Sequence, residues 1–256
     1  MLALGKVGTD TTQDLIVTVD GVVQIQKGSV ISGSGFTSSV GTIADAFMES
    51  NGDWYARGGN SEATPTFWLV KNGQVIAVSG QPIVPGSSEH WKVGSSSPFI
   101  DVHGNNAGNY VIIGNTDSTV ATQSAVVVLN GTRVLARASD PVDVGDGVTP
   151  AGSLFLHTPF QANGVFNNDG YYYFFSRLKA SATATSGAGT SPNNASILRV
   201  MGCPADYNGS GAVTVQDIFD FLAGWFGGDI RADVDGSGTI GVPDIFDYLA
   251  KWFGGC

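Results

Sequence analysis

Two acidic loops near the C-terminus contain the residues whose types and spacing most clearly suggest chemistry. The first loop runs from Asp206 to Asp217, and the second runs from Asp233 to Asp244, 27 residues later. In each loop, oxygen-bearing side chains occupy positions 1, 3, 5 and 12. A glycine occupies position 6, where the chain must turn sharply around a hard cation. The pattern predicts two calcium sites.

The predicted ligands are of the kinds that Ca²⁺ accepts, namely carboxylate, amide, hydroxyl and backbone carbonyl oxygens. For the first ion they are the side chains of Asp206, Asn208, Ser210 and Asp217 and the backbone carbonyl of Ala212. For the second ion they are the side chains of Asp233, Asp235, Ser237 and Asp244 and the backbone carbonyl of Thr239. One such loop alone is often a surface turn. Two copies in register favour the metal interpretation.

Each loop is followed by apolar residues at three- and four-residue spacing, which predicts an amphipathic helix. The predicted apolar face of the first helix is Val215, Ile218, Phe219, Leu222, Trp225 and Phe226, and that of the second is Val242, Ile245, Phe246, Leu249, Trp252 and Phe253. Gly227-Gly228 and Gly254-Gly255 stand where left-handed C-caps would end the helices. The segment before the first loop, 201–205, is too short and too rich in Gly and Pro to be the incoming helix of an EF-hand.

In these features residues 203–256 resemble the dockerins, calcium modules with two loop-plus-helix segments that dock onto cohesin domains of extracellular bacterial scaffolds. The Cys-Pro-Ala-Asp-Tyr-Asn-Gly opening, the repeated Asp-Ile-Phe-Asp and the final Gly-Cys are similar to a variant from planctomycete secreted proteins. The resemblance implies two bound Ca²⁺ ions and a cohesin-like or envelope protein as partner. It also places partner contacts at loop positions 10 and 11. These positions are Val215, Gln216, Val242 and Pro243 here, whereas better-studied members often have Ser or Thr.

The two cysteines of the chain bracket this module. Cys203 precedes the first loop and Cys256 is the last residue. A disulfide between them would join the two ends of the module and contribute roughly 4 kcal/mol by loop-entropy reasoning. Two unpaired thiols are the alternative that the sequence leaves open.

Residues 1–200 form a second predicted domain, which is organised by an internal repeat. Three tight-turn dipeptides lie between β-rich runs, and this is a strong hairpin signal. They are Asp20-Gly21, Asn72-Gly73 and Asn130-Gly131. A glycine followed two residues later by an aromatic residue recurs at Trp54, Tyr110 and Tyr172. A further short strand is expected before each of these, around Ile43–Phe47, Phe99–His103 and Phe160–Phe166.

These signals predict a mainly β chain with units of four strands and roughly 55 residues each. The predicted fold is a partial β-propeller-like repeat followed by the small α-helical calcium module, and a stacked β-solenoid or a sandwich is the rival. About three and a half units fit into the sequence, whereas a closed propeller has roughly 4 to 8 blades. The repeat domain is therefore expected to be N-terminally incomplete. Missing blades or dimerisation would cover its open edges.

Composition restricts the partners and the cellular location. The net charge is −10 with only 12 Lys and Arg residues, which argues against a nucleic-acid ligand. No apolar run is long enough to span a membrane. The expected location is extracellular or at the cell surface of a bacterium. Residues 1–5 do not open a signal peptide, so we expect that a leader was removed or that the chain is a fragment.

Candidate catalytic residues are sparse. His90, His103 and His157 lie in different parts of the repeat without a second ligand at metal-binding spacing, so we interpret them as polar groups of strands and loops. The three glutamates do not suggest a glycosidase pair. Trp68, Trp91 and Tyr171–Tyr173 have the right chemistry to stack on sugar rings, but packing between repeat units is favoured for them.

The sequence thus predicts an extracellular, non-catalytic binding or adhesion protein. Its calcium module would attach it to a partner, and a glycan is a candidate ligand of the repeat domain. The alternative is a secreted polysaccharide-active propeller enzyme, a hydrolase or a lyase, anchored by the same module.

Overall fold

The computed structural model describes residues 1–142, 154–157, 160, 164–168, 170–185, 195–208, 212–234 and 239–254. Four residues of the predicted sites lie outside the described residues. They are Ser210, Asp235, Ser237 and Cys256. The described chain is mainly β, as predicted, with antiparallel sheets followed by two helices.

Four antiparallel sheets are present in the described part of residues 1–201. Sheet 1 contains β1 (Leu2–Lys6), β2 (Leu15–Val19) and β3 (Val22–Gln26). Sheet 2 contains β4 (Val40–Met48), β5 (Trp54–Asn60), β6 (Phe67–Lys71) and β7 (Gln74–Val78). Sheet 3 contains β8 (Phe99–Gly104), β9 (Tyr110–Asn115), β10 (Ala125–Leu129) and β11 (Arg133–Arg137). Sheet 4 contains β12 (Pro141–Val142), β13 (Leu154–Leu156), β14 (Val165–Phe166), β15 (Tyr171–Lys179) and β16 (Ala195–Met201).

The predicted hairpins are confirmed at all three tight-turn dipeptides, which join β2 to β3, β6 to β7 and β10 to β11. In each dipeptide both residues have positive φ, for example 50° at Asn130 and 65° at Gly131. This is the type I′ geometry, whose twist matches that of the flanking strands. Asparagine and aspartate tolerate the left-handed region better than other non-glycine residues.

The asparagine of the turn also holds the start of a neighbouring strand. The Asn72 side-chain oxygen accepts a hydrogen bond from the Trp54 amide at 2.9 Å, and the Asn130 oxygen accepts one from the Tyr110 amide at 2.8 Å. The Asn130 amide nitrogen donates to Asn109 at 2.8 Å. The turn asparagine therefore adopts the left-handed conformation that the turn requires and also accepts a hydrogen bond from the first amide of a neighbouring strand.

We expect Asn130→Ala to lower the free energy of unfolding by about 1–3 kcal/mol. Alanine at φ 50° is strained, and the substitution removes both side-chain hydrogen bonds. Asn130→Gly relieves the strain and loses only the hydrogen bonds, so it should cost less. Calorimetric unfolding of the two variants measures the difference. Equal stability of the alanine variant and the wild type would contradict the assignment.

Three apolar cores bury the faces between successive sheets, because strand residues point alternately to the two sides. In sheet 2, Trp54 and Trp68 face sheet 1, whereas Tyr55 and Leu69 face sheet 3. The third core lies between sheets 3 and 4 and includes Tyr172. The aromatic residue after each repeat glycine therefore packs between units, as predicted. Trp91 is buried as well.

Polar turns of successive units also meet along one edge of the array. The Asn51 amide nitrogen donates to the Asn105 carbonyl at 3.3 Å, and the Asn106 backbone amide donates to the Asn168 side chain at 2.9 Å. These turns precede β5, β9 and β15, and their glycines have positive φ. The period of the repeat therefore corresponds to a spatial ladder of equivalent turns.

Sheets 1 and 4 depart from the predicted four-strand unit, since sheet 1 has three strands and sheet 4 has five. In the span where a strand was expected, around Phe160–Phe166, the described residues Val165 and Phe166 form β14, and residues 161–163 lie outside the described residues. The nine-residue β15 pairs near its start with β14 and near its end with β13. Phe160 is not in a strand, but it is buried in the core against sheet 3.

The last strand of the array leads directly into the C-terminal module. β16 ends at Met201, and the backbone amide of Gly202 donates to the Gly170 carbonyl at 2.7 Å. A Cβ at Gly202 would lie 3.0 Å from that carbonyl oxygen, so a larger residue would push the chain away. Within the described ranges, neither helix has the length and apolar character needed to cross a bilayer.

Candidate metal centre

Two helices of equal length position the predicted calcium loops. α1 spans Val215–Gly227 and α2 spans Val242–Gly254. At the start of α1, Thr214 and Asp217 form a reciprocal capping box, which satisfies backbone amides that would otherwise have no partner in the first turn. Gly228 follows α1 with φ 75°, as the predicted left-handed C-cap requires.

The helices run antiparallel and exchange equivalent contacts. The indole nitrogen of Trp225, near the end of α1, donates to the Gly241 carbonyl just before α2 at 2.8 Å. The indole of Trp252 makes the matching bond to the Thr214 carbonyl at 2.9 Å. Phe221 and Tyr248 occupy the same position in the two helices, and their rings stack with centroids 4.0 Å apart. The internal repeat therefore folds with an approximate two-fold symmetry.

The carboxylate at position 12 of each loop is completely buried. Asp217 and Asp244 are both 0% exposed. One oxygen of Asp217 accepts from the Asn208 backbone amide at 3.2 Å, and the other accepts from the Thr214 amide at 2.7 Å and its hydroxyl at 3.0 Å. Asp244 accepts the amides of Val234 and Gly241, both at 2.7 Å. In each loop, a residue near its start and a residue near its end are therefore held by the same first-turn carboxylate.

The position 1 carboxylate of the first loop lies in the same neighbourhood. Asp206 is buried, and its backbone amide donates to the Cys203 sulfur at 3.2 Å. Burial raises the pKa of Tyr248, and the negative charges of Asp217 and Asp206 raise it further. The two carboxylates therefore act on the same phenol, whose hydroxyl donates to the Ala205 carbonyl at 3.0 Å. Positions 1 and 12 of the first loop therefore both lie close enough to Tyr248 to affect its pKa.

The remaining described ligand candidates lie nearer to the surface. Asn208 is exposed, and its amide nitrogen donates to Asp220 at 2.9 Å. Ala212 and Thr239 are exposed, and Asp233 is half-buried. The other three predicted ligands, Ser210, Asp235 and Ser237, lie outside the described residues.

The chemistry of the donor set fits a hard cation. In the described ranges, no three His, Cys, Asp or Glu side chains converge in a group that could hold a metal ion. A calcium loop does not need such a group, because amide, hydroxyl and backbone carbonyl oxygens complete its ligand set. Zinc sites instead use nitrogen and sulfur ligands in tetrahedral geometry. The donors here suit Ca²⁺ better than zinc.

The predicted partner-contact residues are at the surface. Val215, Gln216, Val242 and Pro243 are all exposed. The predicted apolar faces pack against the module core through Ile218, Leu222, Trp225, Ile245, Leu249 and Trp252. The same predicted faces include Phe219, Phe226, Phe246 and Phe253. These four side chains are exposed, and the buried aromatic residues are Phe221 and Tyr248. The four-residue spacing of Asp217, Phe221 and Trp225 marks the buried stripe that periodicity alone did not single out.

Cys203 is not a free thiol in the structure. Its predicted pairing with Cys256 stays a prediction, because Cys256 lies outside the described residues.

Each histidine of the repeat array has a polar neighbour in the structure. His90 lies 3.3 Å from Asp117, His103 lies 3.1 Å from Asp101, and His157 contacts the Thr185 carbonyl at 3.3 Å. Each of these contacts joins the histidine to one polar group of a strand or loop. None brings a second histidine to the site.

The glutamates of the array also make structural contacts. The guanidinium of Arg137 donates to both oxygens of Glu89, at 2.9 and 2.6 Å. Burial alone would raise the pKa of Glu89, but the hydrogen bonds from Arg137 and Thr116 lower it overall. Glu62 accepts from Thr66, and Glu49 accepts from the Gly104 amide. A carboxylate held ionised by an arginine is a poor general acid.

Comparison with known proteins adds no relative from which a function could be transferred. No protein-family model, curated protein or solved structure matches the chain.

Proposed function

We propose that the chain is an extracellular, non-catalytic binding protein attached to its site of action by a dockerin-like module. In this proposal the module, residues 203–256, binds two Ca²⁺ ions and docks onto a cohesin-like or cell-surface protein. The observation that carries the proposal is the pair of fully buried carboxylates, Asp217 and Asp244, at equivalent positions of two repeated acidic loops.

Burial of these carboxylates supports a bound cation. Removing a charged group from water is costly unless the charge is paired or well hydrogen-bonded. All hydrogen-bond donors to Asp217 in the described part of the chain are neutral, two backbone amides and one hydroxyl. A carboxylate has about four lone-pair sites, so Ca²⁺ can bind without displacing these donors. The ion would then draw Asp206 and Asp217 together and stabilise the folded loop.

Exposed apolar side chains on the two helices support a docking surface. In α1 they are Val215, Phe219 and Phe226, and in α2 they are Val242, Phe246 and Phe253. We call these two sets the helix stripes. Residues four and eleven positions apart lie on nearly the same side of a helix. Phe226 and Phe253 are 80% and 78% exposed, and contiguous exposed apolar surface often marks an interaction site.

The β-rich part of the chain supports the second half of the proposal. Face-to-face packing of antiparallel meanders, with polar turns aligned along one edge, is the arrangement expected of propeller blades. We propose that these sheets are blades of an incomplete β-propeller that presents a glycan or protein ligand. The structural contacts of Glu89 and the separation of the histidines support a binding role over an enzymatic one.

Docking is tested by surface-plasmon binding of the purified chain to a panel of cohesin domains and envelope proteins. We expect binding in Ca²⁺ that a chelator reverses. The double variant Phe219→Asp/Phe246→Asp should weaken binding by at least about tenfold, because a charge replaces apolar contact on both helix stripes. Both helices are changed because their symmetry offers two similar faces.

Val93→Asp is the matched control, since Val93 is an exposed valine of the repeat array far from either helix in sequence. It should bind like the wild type. Binding that persists in chelator, or that the double variant leaves intact, would contradict the proposed docking surface.

A further inference from the structure

The repeat array buries both faces of its internal sheets, whereas in the described part of the chain the outward sides of sheets 1 and 4 keep exposed side chains. We call the outward side of sheet 4 the distal face and the outward side of sheet 1 the proximal face. The distal face is defined by Val165, Tyr173, Phe175 and Ile197, and the proximal face by Ala3, Ile16, Thr18 and Val23. The two faces belong to the same repeat and point in opposite directions along it.

The distal face carries exposed apolar side chains in two neighbouring rows, while Arg199 pairs with Tyr173 and the exposed Arg177 follows two residues after Phe175. Val165 pairs with Tyr173 across β14 and β15, and Phe175 pairs with Ile197 across β15 and β16. Val165 is 61% exposed and Ile197 is 69% exposed. The alternate residues of the same strands, such as Tyr172 and Phe174, are buried against sheet 3.

Repeat alignment shows what covers this face elsewhere in the molecule. Tyr172 aligns with Tyr110 through the preceding glycine, so Tyr173 and Phe175 correspond to Val111 and Ile113 of sheet 3. Those two residues are buried, and the next sheet of the array covers them. Inside the array, a face of this kind therefore packs against the opposite face of another repeat sheet.

The proximal face is such an opposite face. Ala3, Thr18 and Val23 form a row across β1, β2 and β3. Thr18 stands two residues before its tight turn, as Val70 and Val128 do in sheets 2 and 3. Val70 and Val128 are fully buried against the preceding sheet, whereas Val23 in the row of Thr18 is 50% exposed.

The two end faces also complement each other in size. Inside the array, small residues of sheet 3, such as Ala125 and Val127, pack against the aromatic rings of Phe166 and Tyr172 in sheet 4. The end faces have the opposite arrangement, with large side chains on the distal face and small ones on the proximal face, so that a large face would again meet a small one. Interdigitation of large and small side chains gives dense packing.

We propose that the distal face of one copy packs against the proximal face of a second copy, so that the chain associates head to tail. The contact continues the series of internal sheet interfaces across two molecules. It is heterologous, because each copy contributes a different surface. It does not depend on the calcium module or on the proposed docking function.

The test is light scattering and sedimentation of the full chain and three charged variants. The wild type should self-associate at micromolar concentration. Ile197→Asp on the distal face and Val23→Asp on the proximal face should each weaken association by at least about tenfold, because either change buries a charge in an apolar contact. Val93→Asp, which adds the same charge at an exposed valine of neither face, should associate like the wild type.

Mixing the two face variants distinguishes a contact between two different faces from a contact between two copies of the same face. An equimolar mixture of Ile197→Asp and Val23→Asp should form dimers, because each variant retains the face that the other lacks. Circular dichroism confirms folding, and Val165→Asp replaces Ile197→Asp if the latter does not fold. A monomeric wild type overturns the proposal. So does a Val23→Asp variant that still dimerises, a mixture that stays monomeric, or a loss of association in Val93→Asp.

Discussion

Asp217→Asn is expected to reduce the number of bound Ca²⁺ ions from two to one. The side chain keeps its size, but the first loop loses the fully buried charge at position 12. A ligand that binds only the folded state at 100 times its dissociation constant stabilises that state by about 2.7 kcal/mol. The variant should lose about this much more stability in calcium than in chelator, where its amide nitrogen cannot accept the hydrogen bonds that one carboxylate oxygen accepts. Titration calorimetry and thermal unfolding measure the two effects.

Asp247→Asn is the control, since Asp247 is an exposed aspartate on α2, three residues after Asp244. It changes the net charge by the same amount and should keep both ions. Asp244→Asn should repeat the effect of Asp217→Asn on the second loop, because the two carboxylates are equivalent in the repeat. Two ions bound by either position 12 variant would show that these carboxylates are not ligands.

Gly224→Ala is expected to destabilise the module by about 1–3 kcal/mol, as overpacking does in a buried site. On an exposed helix surface the same change would be stabilising by roughly 0.5–1 kcal/mol. The sign reverses here because a Cβ at Gly224 would lie 2.1 Å from the Tyr207 hydroxyl oxygen. Tyr207 is buried and packs edge-on against the stacked rings of Phe221 and Tyr248, so it has little room to move.

The second loop-and-helix copy suggests a substitution that should rescue the stability of the Gly224→Ala variant. At the positions of Tyr207 and Gly224 it has Val234 and Lys251, a smaller residue facing a larger one. Adding Gly224→Ala to a Tyr207→Val chain should therefore cost nothing or increase stability. A thermal double-mutant cycle in calcium measures the coupling. An equal effect of Gly224→Ala in both backgrounds would remove the steric explanation.

Local features of this protein follow from short stretches of sequence. Asn130-Gly131 predicts its turn because left-handed φ values suit these two residue types. Gly228 predicts the end of α1 for the same reason. The repeat period predicts equivalent turns, and these meet in space through Asn51 and Asn106.

Features that depend on distant residues were predicted less well. Apolar periodicity placed Phe219 and Phe226 on one apolar face with Leu222 and Trp225, and it did not indicate that the two phenylalanines are exposed. The buried stripe depends on Phe221 meeting Tyr248, a contact between segments 27 residues apart. Of the span expected to form a strand, Phe160–Phe166, Val165 and Phe166 pair with the start of β15, whose end pairs with β13.

By itself the sequence determined the β-rich repeat, the positions of its tight turns, the two helices and the spacing of the oxygen donors. These depend on backbone preferences and side-chain chemistry within a few residues of each other. Only the tertiary structure decided that Asp217 and Asp244 are fully buried, that the helix stripes remain exposed, and which described side chains of sheets 1 and 4 are exposed. These properties arise from packing between remote segments, and no local pattern specifies which surface a distant segment will cover.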